Sequence, residues 1–269
     1  MLLRFPEPYD FELSTERFRA FGPDLANLWH DGALYRAVAG HEVRIEAAPG
    51  GVNVEPGDDA TLAVVAKLLG REFELAPFYA WAVNDAILGP ITVRFAGLRP
   101  PLAPDPFESL VTSITAQQVS LRSAFAMRSR MIERFSEPTG RAWAFPTRER
   151  IARATEDELF AVGFSHRKAE YALGLARSDL DLAALASLGD DEIRARLTAV
   201  RGLGAWTAEW YLARHLARPR AWPVGDLALR KAATLLYGVD VHELGPRLDP
   251  HQNLSAHYLL AAARPGAAG

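Results

Sequence analysis

A chain of 269 residues, 49% hydrophobic and 23% charged, is long enough for two domains and apolar enough to bury a core in each. It contains no cysteine, which excludes a disulfide framework, a thiol nucleophile, a cysteine-bound zinc and a cysteine-held iron–sulfur cluster. Its net charge of −3 argues against a protein that coats nucleic acid through bulk electrostatics. Residues 1–100 hold 9 Lys and Arg against 14 Asp and Glu, whereas residues 101–269 hold 21 against 19, which leaves room for one modest basic face in the second part. No stretch approaches the ~20 apolar residues of a membrane span, and the N-terminus lacks the order of a signal peptide. The expected setting is the cytoplasm, with no membrane partner.

The first hundred residues predict an α+β domain with a small antiparallel sheet. Alternation over residues 9–13, 34–39, 41–47 and 52–55 predicts short strands, with Pro49-Gly50-Gly51 as a hairpin turn. Asp58 or Asp59 can cap a helix over 60–69, and a second helical piece over 77–87 leads through Gly89-Pro90 to a further strand at 91–95. Trp29, His30, His41 and Trp81 are scattered through this part and read as packing residues.

The run Arg99-Pro100-Pro101-Leu102-Ala103-Pro104-Asp105-Pro106 marks a boundary, dividing the chain into residues 1–100 and 101–269. Its end is also a helix start, with Asp105 as N-cap, Pro106 at the first helical position and Glu108 placed to complete a capping box. From there every segment predicts helix: 107–116, 121–135, 157–162, 166–177, 191–200, 205–216, 227–237 and 254–263. The Gly- and Ala-rich tail beyond predicts disorder.

Chemistry concentrates in residues 197–231. Two helical segments flank Gly202-Leu203-Gly204, a turn that admits positive φ and close backbone approach, and the following helix opens with unpaired N–H groups suited to an anion. Three such residues also serve as an ordinary corner between helices. Asp226 follows, placed to cap the helix starting at Leu227, and capping N–H bonds favour its ionised form. A fixed carboxylate makes sense where positive charge develops opposite it, as when a glycosidic bond breaks through an oxocarbenium-like state. Trp206 and Trp210 lie four apart on one helix face, a spacing that fits a packed core or an aromatic wall for a planar ring.

The hairpin with Thr207-Ala208 beyond it, followed by Pro223-Val224-Gly225-Asp226, resembles the helix-hairpin-helix and Gly/Pro/Asp superfamily of base-excision DNA glycosylases. Within it the chain looks most like the alkylbase (3-methyladenine) DNA glycosylases of the AlkA type. The likeness runs through an α+β N-terminal domain, Phe107-Glu108-Ser109-Leu110, the run Ile114-Thr115-Ala116-Gln117-Gln118-Val119-Ser120, then Gly163-Phe164-Ser165-His166-Arg167-Lys168-Ala169 and the hairpin.

That resemblance implies a DNA glycosylase of base-excision repair that flips alkylated bases out of duplex DNA and hydrolyses their glycosidic bond, with Asp226 as the catalytic carboxylate. Trp206, Trp210, Trp222 and Tyr258 would line the base pocket. Gln117, Gln118, Arg167, Lys168, Arg201, Gly202, Leu203 and Gly204 would contact DNA, Gln118 as the wedge that fills the vacated space. The carbonyls of Thr198, Val200 and Leu203 would hold a structural Na+ or K+ at the hairpin. No other cofactor is implied, and a monomer is expected.

Two departures narrow the expectation. Lyase-competent members carry a Schiff-base lysine two residues after the second hairpin glycine, where this chain has Trp206. Lys231, the nearest lysine to Asp226, is expected on a different helix face. Near the C-terminus the AlkA pattern P-W-R-S-x-A-x-x-Y-L-W is replaced by Pro250-His251-Gln252-Asn253-Leu254-Ser255-Ala256-His257-Tyr258-Leu259-Leu260, which implies a wider, less aromatic pocket and broader substrate range. The competing readings are a lesion-binding protein without turnover and a bifunctional enzyme for oxidised bases.

Overall fold

The computed structural model describes residues 1–264. Among them β1 (Leu2–Arg4), β2 (Leu28–His30), β3 (Ala33–Val38), β4 (His41–Ala48) and β5 (Gly51–Glu55) form one antiparallel sheet in the order β1-β5-β4-β3-β2. The register sets Leu34 opposite Ile45 and Ile45 opposite Val54, so these side chains share one face. That face forms a core with Val65, Leu68 and the aromatic rings of Phe5, Phe11 and Phe18. Three helices belong to this part: α1 (Phe11–Thr15), α2 (Arg17–Ala20) and α3 (Asp59–Leu68). Asp58 caps α3 by accepting the Thr61 N–H at 2.7 Å.

Two expected strands are helices. At residues 9–13 the alternation is overridden by Asp10, which accepts the Leu13 N–H at 2.9 Å and opens α1. At residues 91–95 the β-branched run lies in a helix because Asp85 accepts the N–H groups of Ile87 and Leu88, both at 2.8 Å. Leu88, Ile91 and Phe95 then fall on one helical stripe and bury together. Strands β1 and β2, three residues each, gave no period long enough to predict.

This second core joins α4 (Leu75–Ala82) and α5 (Leu88–Arg94) to helices at the far end of the chain. The helical region continues with α6 (Pro106–Ala116), α7 (Leu121–Phe135), α8 (Arg148–Ala152), α9 (Glu156–Ala161), α10 (His166–Arg177), α11 (Asp190–Ala199) and α12 (Ala205–Arg214). These share a third core through residues such as Leu110, Ile132, Leu173, Leu197 and Tyr211. Then α13 (Leu227–Tyr237), α14 (Val241–Arg247) and α15 (Gln252–Ala262) pack against α4 and α5. The junction of α12 with α13 therefore lies where the two helical cores meet, and residues 73–102 share a core with the C-terminal helices across the proline run.

Asp105 caps α6 as expected, accepting the Glu108 N–H at 2.8 Å with Pro106 in the first turn. The capping box is not completed, because the Glu108 carboxylate turns inward. It accepts from Arg36 Nη2 of β3 at 2.5 Å and from Arg128 Nη2 of α7 at 2.6 Å. Arg128 also faces Asp24 at 3.4 Å, and Asn27 links Asp24 to Arg36 by bonds of 2.9 and 2.6 Å. Two carboxylates and two guanidiniums thus neutralise one another in the interior and bind the sheet to α6 and α7.

Burial by itself would raise the Glu108 carboxyl, but Arg36 and Arg128 override it and lower it to about 2. A folded value below the unfolded ~4.3 means that this stabilisation is present at neutral pH and disappears as pH falls from ~4.3 through about 2. Glu108→Gln leaves two buried guanidiniums short of one negative charge. It should cost ~3–5 kcal/mol in denaturant unfolding at pH 7, and much less near pH 2.

Candidate active site

Helix α11 ends at Ala199, and the carbonyl of its C-cap, Val200, accepts the Leu203 N–H at 3.0 Å to close the turn. Gly202 sits at φ +93°, and a Cβ there would lie 2.1 Å from Cγ of Tyr171 on α10. Gly204, at φ −88°, caps α12 with open space around it. Among the described residues the N–H groups of Gly204, Ala205 and Trp206 have no hydrogen-bond partner, so three donors point outward from one helix start. The Thr198 and Leu203 carbonyls likewise accept nothing among the described residues, while that of Val200 accepts one bond. Three oxygen donors with spare lone pairs fit a hard monovalent cation, which would add positive charge to the turn.

The residues expected around the hairpin divide into two groups. Arg201 is exposed at the tip, with its guanidinium 2.7 Å from Glu170 of α10, and Arg167 is exposed nearby in sequence. Gln118 is exposed at φ +57°, just past the end of α6. In contrast, Leu203 is buried and its N–H is already used inside the turn. Gln117 donates from Nε2 to the Gly202 carbonyl at 2.9 Å, tying the end of α6 to the hairpin. Lys168 corrects the expectation of a phosphate contact: it is buried, and its ammonium donates to the Thr115 carbonyl at 2.8 Å. The amphipathic pattern of α10 turns it inward to cap the carbonyl end of α6.

Asp226 is the N-cap of α13, and its Oδ1 accepts the Leu229 N–H at 3.0 Å. Oδ2 accepts two indole N–H groups, from Trp206 at 3.1 Å and Trp210 at 3.0 Å. The two tryptophans therefore meet the carboxylate with their edges and fix its orientation. Trp210 offers less aromatic wall than expected, because the Arg214 guanidinium lies over its ring, 3.5 Å from the centroid.

A cavity of about 1110 Å³ opens beside this carboxylate. It reaches from Gln118, Trp206 and Asp226 to Arg17, Phe125 and Arg264, and the inner ion network of Glu108 forms part of its lining. Two expected pocket residues lie elsewhere. Trp222 is buried in the second core, where its Nε1 donates to the Val241 carbonyl at 3.0 Å. Tyr258 is fully buried there too, donating to the Leu98 carbonyl at 2.9 Å and meeting the Tyr79 hydroxyl at 2.6 Å. Each has an aromatic body in an apolar core and a polar tip that needs a buried partner.

Their place in the C-terminal wall is taken by His257, Leu260, Ala261 and Arg264. Burial, with the Arg214 charge close by, holds His257 well below the ordinary histidine range, so its imidazole is neutral. Lys231 corrects a further expectation. It is exposed and lines the same cavity as Asp226, because a cavity this wide spans more than one face of α13. The sequence reading missed Arg17, Arg214 and His257. Arg214 did leave a signal, since Trp206, Trp210 and Arg214 recur at four-residue spacing on α12.

With this geometry in place, residues 111–244 match the family described as HhH-GPD superfamily base excision DNA repair protein. A solved DNA-3-methyladenine glycosidase from Bacillus halodurans is 30% identical, with 68% of this chain and 91% of that one covered at a TM-score of 0.53. The chain belongs to the HhH-GPD superfamily. Among curated relatives, the DNA-3-methyladenine glycosylase of Bacillus subtilis is 33% identical over 171 residues, 61% of this chain and 56% of that protein. The chain spans about half the length of the first curated relatives it matches, 56% and 48%. The fold of a 3-methyladenine DNA glycosylase from Archaeoglobus fulgidus matches along 97% of both chains with a TM-score of 0.87 at 24% identity.

The two hairpin glycines differ in what an added methyl group meets. Gly202→Ala must strain a positive φ and displace the Tyr171 ring, so it should destabilise the fold by ~1–3 kcal/mol. Gly204→Ala meets no atom within 4 Å at an ordinary φ and should cost less than about 1 kcal/mol. Thermal unfolding of both variants gives the comparison.

Proposed function

We propose that this protein is a monofunctional DNA glycosylase that excises alkylated bases, 3-methyladenine and related alkylpurines among them, from duplex DNA. The observation that carries the reading is the Asp226 carboxylate, held by three N–H donors at the wall of a base-sized or larger cavity and one helix away from an open phosphate seat. The curated relatives named as DNA-3-methyladenine glycosylases support the same reaction class.

The chemistry follows from the acceptor geometry. A carboxylate offers about four lone-pair sites, and three are filled, two on Oδ2 and one on Oδ1. The remaining site on Oδ1 receives a water. As the bond between C1′ and the base nitrogen breaks, its electron pair leaves with the base and C1′ becomes cationic opposite Asp226. The water oxygen then bonds to C1′, and its proton passes to the carboxylate and on to solvent. An alkylated ring nitrogen makes the base cationic beforehand, so it departs neutral and needs no general acid.

On the DNA side, the free N–H groups of Gly204, Ala205 and Trp206 receive one phosphate, aided by Arg201 and Arg167 and by a cation on the Thr198, Val200 and Leu203 carbonyls. Gln118 enters the vacated stack. Its exposed position at the cavity lip and its left-handed backbone, uncommon for a residue other than glycine, support that role.

Asp226→Asn should lower single-turnover release of 3-methyladenine by ~10³-fold or more while changing affinity for lesion-containing duplex by less than about threefold. Unaltered release by that variant, measured as free base, contradicts the assignment. It equally separates this reading from a lesion-binding protein, which releases no base in either form.

Water attack without strand cleavage is supported by Trp206, which stands where lyases carry lysine. Because Lys231 reaches the cavity, borohydride reduction during turnover is the direct check. No covalent protein–DNA adduct should form. An adduct that disappears in Lys231→Ala would instead assign lyase chemistry to that lysine.

A further inference from the structure

The end of α6 is held at two points before the chain reaches Gln118. The buried ammonium of Lys168 donates to the Thr115 carbonyl at 2.8 Å, and Gln117 Nε2 donates to the Gly202 carbonyl at 2.9 Å, 85 residues away in sequence. Both tethers lead to one neighbourhood. Lys168 lies on α10, three residues before Tyr171, whose ring lies against Gly202. Gln117 leaves the helix with an extended backbone, at φ −60° and ψ 124°, and Gln118 follows at φ +57°, exposed at the cavity lip.

The bond from Gln117 falls on the peptide unit that precedes the free donors of the hairpin. At the other end of that unit the Leu203 N–H donates to the Val200 carbonyl at 3.0 Å, so both of its polar groups are engaged. Among the described residues the Gly202 carbonyl accepts from no other group. Without Gln117, the Leu203 N–H alone would set the plane of this peptide, beside a glycine whose backbone has more freedom than any other residue. The next peptide carries the Gly204 N–H, the first of the three that point outward. Gln117 thus orients the start of the N–H seat with its side chain, while its backbone fixes where Gln118 begins.

We infer that Gln117 is a positioning residue that sets the register between the hairpin and Gln118, so that a phosphate seated on the hairpin N–H groups aims the Gln118 side chain into the duplex. This rests on the glycosylase reading and on the part it gives Gln118. The two groups meet one duplex at different points, and a base leaves the stack only where both fit at once. Their separation therefore has to be set before DNA arrives, because an error of about 1 Å in such an arrangement is costly. Gln117 meets no reacting atom in this scheme and acts through its neighbour and the hairpin.

A double-mutant cycle tests it. The unaltered protein is compared with Gln117→Met, Gln117→Asn, Gln118→Ala and Gln117→Met combined with Gln118→Ala. Three quantities are read: single-turnover release of 7-methylguanine, affinity for an undamaged duplex, and fluorescence of 2-aminopurine beside a tetrahydrofuran abasic site, which rises as the stack opens. Gln117→Met keeps the length and loses the donor, whereas Gln117→Asn keeps the amide and loses the reach. Each should slow release ~tenfold, the scale of one neutral hydrogen bond, and lower the fluorescence, with undamaged-duplex affinity within about threefold. Gln118→Ala should do the same, and the double variant should be no more than about twofold slower than Gln118→Ala. Losses that multiply to ~100-fold in the double variant overturn the inference, since Gln117 then acts independently of Gln118. An unchanged rate in Gln117→Met, Gln117→Asn or Gln118→Ala also overturns it, as does a loss of undamaged-duplex affinity as large as the loss of rate. If the unaltered protein releases no base, the glycosylase reading falls, and the same cycle read in fluorescence alone decides the register.

Discussion

The sheet and the helical bundle are joined where Glu108 is held between Arg36 and Arg128. Those three side chains come from α6, β3 and α7, and with Asp24 and Asn27 they join the sheet to the helical bundle by interactions that tolerate little displacement. Apolar contacts alone could slide over one another at such a junction. A buried carboxylate between two guanidiniums cannot, since any shift leaves a charge unpaired in a medium that penalises it. Glu108, Arg128, Asp24 and Asn27 also line the cavity, so the same network that fixes the sheet forms the inner side of the space facing α12.

The charged groups that line that space differ in how they are held. The network around Glu108 is internally neutral, two carboxylates against two guanidiniums. At the cavity wall Arg264 pairs with Glu16, and Asp226 accepts from the two indoles and the Leu229 N–H. Arg214 is held by the Trp210 ring and Arg17 by the Phe125 ring. Fixed charges of this kind keep their orientation without reorganisation when a charge develops beside them.

Much of this was legible in the sequence, and the limits have physical causes. The helices of the second part were readable because caps and apolar periods agree, as at Ser120, Ser165 and Asp226. The strand expected at 91–95 failed because Asp85 and the stripe of Leu88, Ile91 and Phe95 outweighed β-branched propensity. Asp226 and the hairpin were found through local motifs, whose spacing is preserved in the chain. Tyr258 and Trp222 were placed in the pocket by the family resemblance, yet burial in the second core is decided by contacts with α4, α5 and α14 that no local pattern encodes. Arg17 comes from the other end of the chain, and only the tertiary fold brings it to Arg214.

Helix α12 explains why so short a segment carries so much of the site. Gly204, Trp206, Trp210 and Arg214 are spaced along it, and at 1.5 Å per residue the ten steps from Gly204 to Arg214 span ~15 Å. The free N–H groups lie at one end, the two indole donors to Asp226 follow, and the unpaired guanidinium stands near the other end. A rigid helix thereby sets the separation between those N–H groups, the carboxylate and the guanidinium, without relying on loops. Gly202 against Tyr171 and Gln117 on the Gly202 carbonyl fix where that helix begins. A displaced hairpin would therefore move Trp206 and Trp210 relative to Asp226, so the place of the free N–H groups and the aim of the carboxylate are mechanically the same constraint.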